Sequence, residues 1–329
     1  MNSIRLLIIG AGPIGLSCGI AAQALGIDYK IIEKGCLVNS LHNFPTNMTF
    51  FSSSDKLEIG NIPFSSLSVR PNKQEALEYY RRVAQHFDLQ MGFYEIVESI
   101  KENTKETGEQ CFEVHTSKTA YRCDFIVNAT GFYDTPTLLR VPGEQLKKVQ
   151  HYFTAAHHLF RQKVVVIGAS NSAIDVALEA YRKGAEVTVL VRGKAISKSV
   201  KYWVRPDFES RVAEGNIKVY FEAEVLEIKE QQVLFKHQQQ SLELDNDFVY
   251  AMTGYQPHWS LLKMLGVEMN LTTGNPLYNT ETMETNRSRV YLAGVVCGGR
   301  NTREWFIENS RDHGDKIMKH IKEQYELKK

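Results

Sequence analysis

Leu6 to Ile9 is an unbroken apolar run. It is followed by a glycine turn, by a stretch of small apolar residues closing near Gly26, and by a second short run from Tyr29 to Glu33. Runs this short and continuous suit parallel strands covered on both faces, and the stretch between them predicts a crossover helix, so the N-terminus reads as one β-α-β unit. The same order of signals returns in mid-chain: a strand over Lys163 to Ile167, a turn over Gly168 to Asn171, a helix over Ser172 to Lys183 closed by Gly184, and a strand over Glu186 to Val191. Two copies of one grammar, about 160 residues apart, predict two separate sites rather than a repeat array.

Two further apolar strands run into Thr-Gly, Phe125 to Tyr133 and Phe248 to Gln256. They predict the places where the chain crosses between domains. The expected organisation is discontinuous: residues 1–134 and 251–329 form one domain, and residues 135–250 form a second domain inserted into it. Rotation on the two Thr-Gly crossings is the gating motion that such a double connection predicts. Arg289 to Val296 adds a buried-strand candidate, Thr302 to Glu323 reads as an amphipathic terminal helix, and the Gln-rich stretch Gln231 to Gln240 reads as a hairpin or loop.

Length agrees with this division, since 329 residues at roughly 150 per domain make two domains. A net charge of +1 supplies no global field for nucleic acid or an anionic membrane, so any anionic ligand is bound locally. Leu6 to Ile27 carries no charged residue and is long enough to span a bilayer, but Gly10, Gly12, Pro13, Gly15 and Gly19 interrupt it. No cleavage pattern or stop-transfer segment follows, so a buried strand-turn-helix is expected and no membrane. Five cysteines without a C-x-x-C pair argue against a disulfide framework or a zinc ribbon and point to the reducing cytoplasm. The ten histidines show no zinc-type spacing and no G-x-S-x-G elbow occurs, so neither a metal nor a hydrolase is expected.

Gly10-Ala11-Gly12-Pro13-Ile14-Gly15 ends a predicted strand and opens a predicted helix, the setting in which G-x-G-x-x-G carries meaning. Gly10 allows the tight turn, Gly12 lets backbone approach a pyrophosphate, Gly15 lets helix and strand pack closely, and the helix start offers amides. Glu33, followed by Lys34, ends the next strand, where a carboxylate accepts hydrogen bonds from a ribose diol. The second motif, Gly168-Ala169-Ser170-Asn171-Ser172-Ala173, substitutes Ser and Ala for the second and third glycines. Its next strand ends at Val191, with Arg192 following and Lys194 close behind. A guanidinium in place of a ribose-binding acid predicts NADPH over NADH, the alternative being a solvated strand-end arginine. The fold class expected is α/β with two Rossmann-like dinucleotide-binding domains.

Together with the paired Ala129-Thr130-Gly131 and Met252-Thr253-Gly254 crossings, this arrangement resembles the FAD- and NADPH-dependent reductases of the thioredoxin-reductase type, over nearly the whole chain. Phe44 to Met48, Phe50 to Ser54, Leu57 to Phe64, Glu75 to Arg81, Lys201-x-Trp203 and Phe306 to Asn309 are similar to the bacillithiol-disulfide reductase family. The resemblance implies FAD held by Gly10, Gly12, Pro13, Ile14, Gly15, Glu33, Lys34, Thr130, Gly131, Gly294, Val295, Thr302 and Arg303. It implies NADPH held by Gly168, Ser170, Asn171, Ser172, Ala173, Arg192, Lys194, Thr253 and Gly254. It further implies a homodimer or homotetramer in which NADPH delivers hydride to FAD and two electrons pass to a small-molecule thiol disulfide.

The chain departs from that pattern at three points. The expected NADPH domain contains no cysteine, which excludes an internal C-x-x-C relay. Ile14 stands where the family places a single cysteine, so Cys18, four residues later on the same helical face, is the candidate catalytic thiol, against a packing role. Val295 stands where related reductases carry the aspartate of Ala-Gly-Asp, leaving the amides of Asn301, Thr302 and Arg303 at the expected helix start to face the flavin. Cys297 beside that turn is a flavin-side thiol or a turn residue, while Cys36, Cys111 and Cys123 read as structural. Glu308 and His313 are proton-donor candidates or a solvated helix face. Arg70, Lys198, Lys201, Arg205, Arg300 and Arg303 are candidate clamps for the carboxylates of a disulfide. A ferredoxin- or quinone-type reductase and a flavin monooxygenase stay open as alternatives, the latter without its F-x-G-x-x-x-H fingerprint.

Overall fold

The computed structural model describes residues 1–326. In chain order, the elements that position the sites are β1 (Leu6–Ile9), α1 (Pro13–Ala24), β2 (Tyr29–Ile32), α2 (Lys73–His86), β3 (Phe125–Asn128), β4 (Lys163–Ile167), α3 (Asn171–Arg182), β5 (Glu186–Val191), α4 (Arg205–Ala213), β6 (Phe248–Ala251), β7 (Val290–Leu292) and α5 (His313–Ile321). The chain folds as two compact units, one built from residues 1–42, 49–135 and 255 onward, the other from 43–48 and 136–254.

The first unit is organised by a parallel sheet in the order β7, β3, β1, β2, with Met91–Gly92 at the edge. Leu6, Leu7, Ile8 and Ile9 are all buried, as a strand covered on both faces requires. Each such side chain contributes about 1.5–3 kcal/mol by leaving water. Register aligns Ile9 with Ile32 on one side and with Asn128 on the other, and Asn128 with Leu292. The carboxyl ends of these strands therefore share one edge, where open α/β sheets bind ligands. Helix α1 packs on this sheet through Gly19, where a Cβ would stand 2.7 Å from Ile31 Cδ1. Helix α5 crosses α1 at Gly314, where a Cβ would stand 2.9 Å from the Cys18 Cα. An antiparallel sheet of Val97–Thr104, Gln110–Thr116 and Ala120–Cys123, joined by Asn2–Ser3, completes the unit. Helix α2 begins at Asn72, whose side chain accepts the Glu75 amide while Glu75 accepts the Asn72 amide, the reciprocal capping box.

The second unit repeats the plan with a parallel sheet ordered Ile217–Phe221, β5, β4, β6, Val149–Gln150. Beside it lies an antiparallel sheet of Glu224–Ile228, Gln232–His237 and Gln240–Asp245. The Gln-rich stretch is thus a hairpin, and Gln238 and Gln239 form its turn with φ of 48° and 67°. The fold class expected from the sequence is the one observed.

Two C-terminal expectations need correction. The strand from Arg289 is shorter than its apolar run, because the chain turns at Gly294 (φ 80°) into a single 3₁₀ turn, Gly294–Gly298. The terminal helix does not start at Thr302. It begins as Ile307–Ser310, breaks at Arg311, and resumes as α5. At the break the Ser17 hydroxyl takes the Arg311 carbonyl at 2.6 Å, and the Arg311 guanidinium donates to the carbonyls of Asp55 and Glu58. The Arg311 amide still donates to the Ile307 carbonyl at 3.1 Å, and no glycine or proline between Ile307 and His313 marks the break in the sequence. Among the described residues no helix is long and apolar enough to cross a membrane.

Candidate dinucleotide-binding sites

Gly10 has φ 110°, and a Cβ there would stand 2.6 Å from the Ala129 carbonyl oxygen. Gly15 faces the Gly10 carbonyl so closely that no side chain fits. Gly12 is different. Its φ is an ordinary −74°, and nothing lies within 4 Å of where its Cβ would be. Open space at the N-cap of α1, with no side chain capping the helix, fits a pyrophosphate approaching backbone amides.

Glu33 is buried, and both its oxygens accept backbone amides: Oε2 from Ala11 at 2.8 Å and Oε1 from Gly35 at 3.0 Å. Burial holds its pKa above the usual carboxylate value, and those two amides offset only part of that rise. Each oxygen retains a lone pair for a ribose hydroxyl, so Glu33 ties the turn together and can still accept a ligand. On the far side Val38, held at φ 47°, donates its amide to the Ala11 carbonyl at 3.0 Å. A β-branched residue in the left-handed region is strained, and here it secures the glycine turn. Lys34 is exposed and pairs with Asp134 at 3.0 Å.

Thr130 turns inward, its amide and hydroxyl both donating to Asn128 Oδ1 at 3.2 and 2.8 Å. Asn128 is buried at the carboxyl end of β3, and its Nδ2 has no partner. A buried donor left unpaired costs about 1–3 kcal/mol, which a ligand bringing acceptors to this edge would relieve. Gly131 follows with φ 69° and open space at its Cα.

The Gly294 turn packs on the first motif, since a Cβ at Gly294 would stand 3.1 Å from Ile14 Cγ1. Val295 is half-buried beside it. The Gly294 amide donates to His313 Nδ1 at 3.1 Å. His313 is fully buried, lies edge-on to Trp305 with ring centroids 4.6 Å apart, and has its pKa pushed down to about 4 by burial. The solvated-face expectation for His313 is therefore corrected: the ring is buried and neutral, its Nδ1 accepting the Gly294 amide while Nε2 has no partner. Glu308 is half-buried on the short helix Ile307–Ser310.

The structure gives Cys18 the packing role. It is completely buried at the α1–α5 crossing, and burial, reinforced by Asp315, pushes its thiol up to about 12, so no thiolate is available. Cys297 is buried as well, with its pKa raised by desolvation and by Cys18. Thr302 and Arg303 lie in the turn before Ile307, so their amides are not those of a helix start.

In the second unit Gly168 (φ 143°) lies against the Met252 carbonyl and Ala173, and Ser170 is the N-cap of α3. Ser172 is exposed on the first turn. The Asn171 side chain is already committed: Nδ2 donates to the Ser199 carbonyl at 3.0 Å, and Oδ1 accepts the Lys201 amide at 2.8 Å. Arg192 is exposed directly after β5, and Lys194 is exposed with Glu222 at 3.9 Å. Thr253 donates its hydroxyl to the Thr137 carbonyl at 2.5 Å, and Gly254 (φ 95°) has open space around it.

Three clamp candidates already have protein partners. Lys201 is bound to Asp175 at 3.0 Å, Arg205 to the Ser197 carbonyl at 2.7 Å and to Glu209 at 3.3 Å, and Arg70 to the Phe51 carbonyl at 3.0 Å. Lys198 and Arg300 are exposed. Among the described residues no cluster of three or more His, Cys, Asp or Glu could hold a metal. Sequence reasoning missed Asn128 and Asp175. Asn128 is the one polar residue ending an apolar strand, a usable signal, whereas the partner of Asp175 lies 26 residues away and leaves no local trace.

The chain matches the model of the family "Pyridine nucleotide-disulphide oxidoreductase" over residues 7–294. Bacilliredoxin reductase Bdr of Bacillus subtilis (strain 168) is 45% identical over 318 residues, 96% of this chain and 97% of that protein. Solved structures of bacillithiol disulfide reductase Bdr from Staphylococcus aureus and from Bacillus cereus are 43% and 44% identical, each with a TM-score of 0.94. They cover 99% and 98% of this chain and 100% of their own.

Proposed function

Since this chain belongs to the pyridine nucleotide-disulphide oxidoreductase family and is an oxidoreductase, we propose that it is an FAD flavoprotein using NADPH to reduce a low-molecular-weight disulfide of the bacillithiol type. The observation that carries this reading is the difference between its two glycine turns. One has an open Cα at Gly12 and a carboxylate at the next strand end, and the other has an exposed guanidinium, Arg192, at the matching place. The first suits FAD and the second a 2′-phosphate.

Bound FAD supplies two-electron transfer between nicotinamide and disulfide, chemistry the cofactors bring with them. The net change balances as one disulfide plus NADPH and a proton giving two thiols and NADP⁺. The chain's part is placement. Gly12 and the first amides of α1 receive the pyrophosphate, Glu33 orients the ribose, and Thr130, Gly131, Gly294 and Val295 line the turn edges beside them. His313 holds the Gly294 turn against Ile14 without carrying a charge into the site. Gly168, Ser170 and Ala173 shape the NADPH turn, and Arg192 with Lys194 faces the 2′-phosphate.

With Ile14 in the glycine motif and Cys18 and Cys297 buried as protonated thiols, the chain presents no thiolate at this site, so the disulfide receives electrons without a protein dithiol. The same observation favours a second reading, a ferredoxin- or quinone-type acceptor. Steady-state NADPH consumption with bacillithiol disulfide, with the disulfide of a bacilliredoxin, and with ferredoxin or a quinone separates the two. Turnover with a disulfide supports the first reading, and turnover only with ferredoxin or quinone replaces it.

Arg192→Ala is expected to raise KM for NADPH by about tenfold to a hundredfold, the worth of a charge-assisted bond to phosphate, while leaving KM for NADH unchanged. Parallel steady-state titrations with the two coenzymes check this, and an equal rise for both would remove Arg192 from the 2′-phosphate site.

A further inference from the structure

The segment between β5 and α4 carries the exposed cations Arg192, Lys194 and Lys198, yet its backbone is fixed at short intervals. Ile196 and Val200 are buried in the core of the second unit. The Ser197 amide donates to the Ala169 carbonyl at 2.7 Å, inside the glycine turn itself. Asn171, on the first turn of α3, grips the far end of the segment through the Ser199 carbonyl and the Lys201 amide. One turn further along the same helix, Asp175 binds Lys201 Nζ at 3.0 Å, and only 14% of the Lys201 side chain is exposed. Lys201 thus spends its charge on α3, whereas the cations before it face solvent.

We propose that Asn171, Asp175 and Lys201 form a clamp that holds the 192–201 segment on the N-terminal end of α3, and that this clamp sets the preference for a 2′-phosphorylated coenzyme. The proposal rests on the NADPH reading above. A loop ordered beforehand loses little freedom when phosphate arrives, whereas a loop released from α3 would have to be ordered at the expense of binding. Asp175 and Lys201 need not touch the coenzyme. They are positioning residues acting through Arg192, Lys194 and Lys198.

The test is calorimetric titration of the FAD-loaded protein with NADP⁺ and with NAD⁺. Asp175→Ala and Lys201→Met are each expected to weaken NADP⁺ by about fivefold to tenfold and to leave NAD⁺ unchanged, because only the 2′-phosphate reads the loop. Lys201→Arg, which keeps the ion pair, is expected to bind NADP⁺ as the parent does. At saturating NADPH, kcat of all three should stay within about twofold of the parent, since chemistry lies outside the clamp. Equal weakening of both nucleotides would indicate general damage and overturn the clamp. So would unchanged NADP⁺ binding in a parent that discriminates between the two. A parent that binds NADP⁺ no more tightly than NAD⁺ would overturn the NADPH reading together with the clamp.

Discussion

Gly12→Val is expected to yield a folded protein that contains no FAD. Two observations separate Gly12 from its neighbours. Its φ of −74° suits any residue, and nothing stands within 4 Å of the added Cβ, so the fold itself has no need of glycine there. On the proposed reading a branched side chain in that space displaces the pyrophosphate from the amides of α1, and a loss of about 10³-fold or more in FAD affinity is expected. Gly15→Val is the control with the opposite behaviour, because its side chain would collide with the Gly10 carbonyl and destabilise the unit whether or not FAD is present. The ratio of visible to near-ultraviolet absorbance, with a thermal melt of each variant, checks both. A Gly12→Val protein that stays yellow would place the cofactor elsewhere.

The second large effect concerns His313 and pH. Burial lowers its pKa from about 6.5 to about 4, and its Nδ1 accepts the Gly294 amide, a role only the neutral ring can fill. Below pH 6.5 the unfolded chain takes up a proton that the folded chain refuses, so stability falls as pH drops towards 4 and levels off below that. At pH above 6.5 this group contributes no pH dependence. The shift corresponds to about 3 kcal/mol across that window. His313→Gln keeps an acceptor for Gly294 and cannot ionise, so its melting temperature is expected to change less than the parent's between pH 6.5 and 4. Parallel slopes for the two proteins would show that His313 titrates normally in the fold.

How much of this was legible in the sequence depends on the range of the interaction. β1, β4 and β5 fall where their runs predict, because a strand covered on both faces is mostly apolar once past its exposed first residue. Gly10 is required by a contact with Ala129, far along the chain, and Gly15 by the nearby Gly10 carbonyl, yet their spacing already marked both. The broken terminal helix was not legible, because Ser17 takes the Arg311 carbonyl from the other end of the chain. The same holds for His313, whose amphipathic position showed a helix face but not the Gly294 amide beneath it. Lys201 and Arg205 read as candidate clamps, and the partners that Asp175 and the Ser197 carbonyl give them are brought there by the fold. Cys18 illustrates the limit from the other side. Its place on the helix was readable, but the pressure of Gly314 and α5 that buries it was not.

On the proposed reading, electrons from NADPH pass through FAD to a small disulfide without a protein thiol. Anaerobic stopped-flow spectroscopy tests it most directly, by bleaching the visible flavin band with NADPH, adding bacillithiol disulfide, and repeating both steps with Cys18→Ala. Fast bleaching, reoxidation on adding the disulfide, and the same rates in the variant are expected. A flavin that NADPH bleaches but the disulfide leaves reduced would contradict the assignment, and reoxidation lost in Cys18→Ala would contradict the thiol-free path.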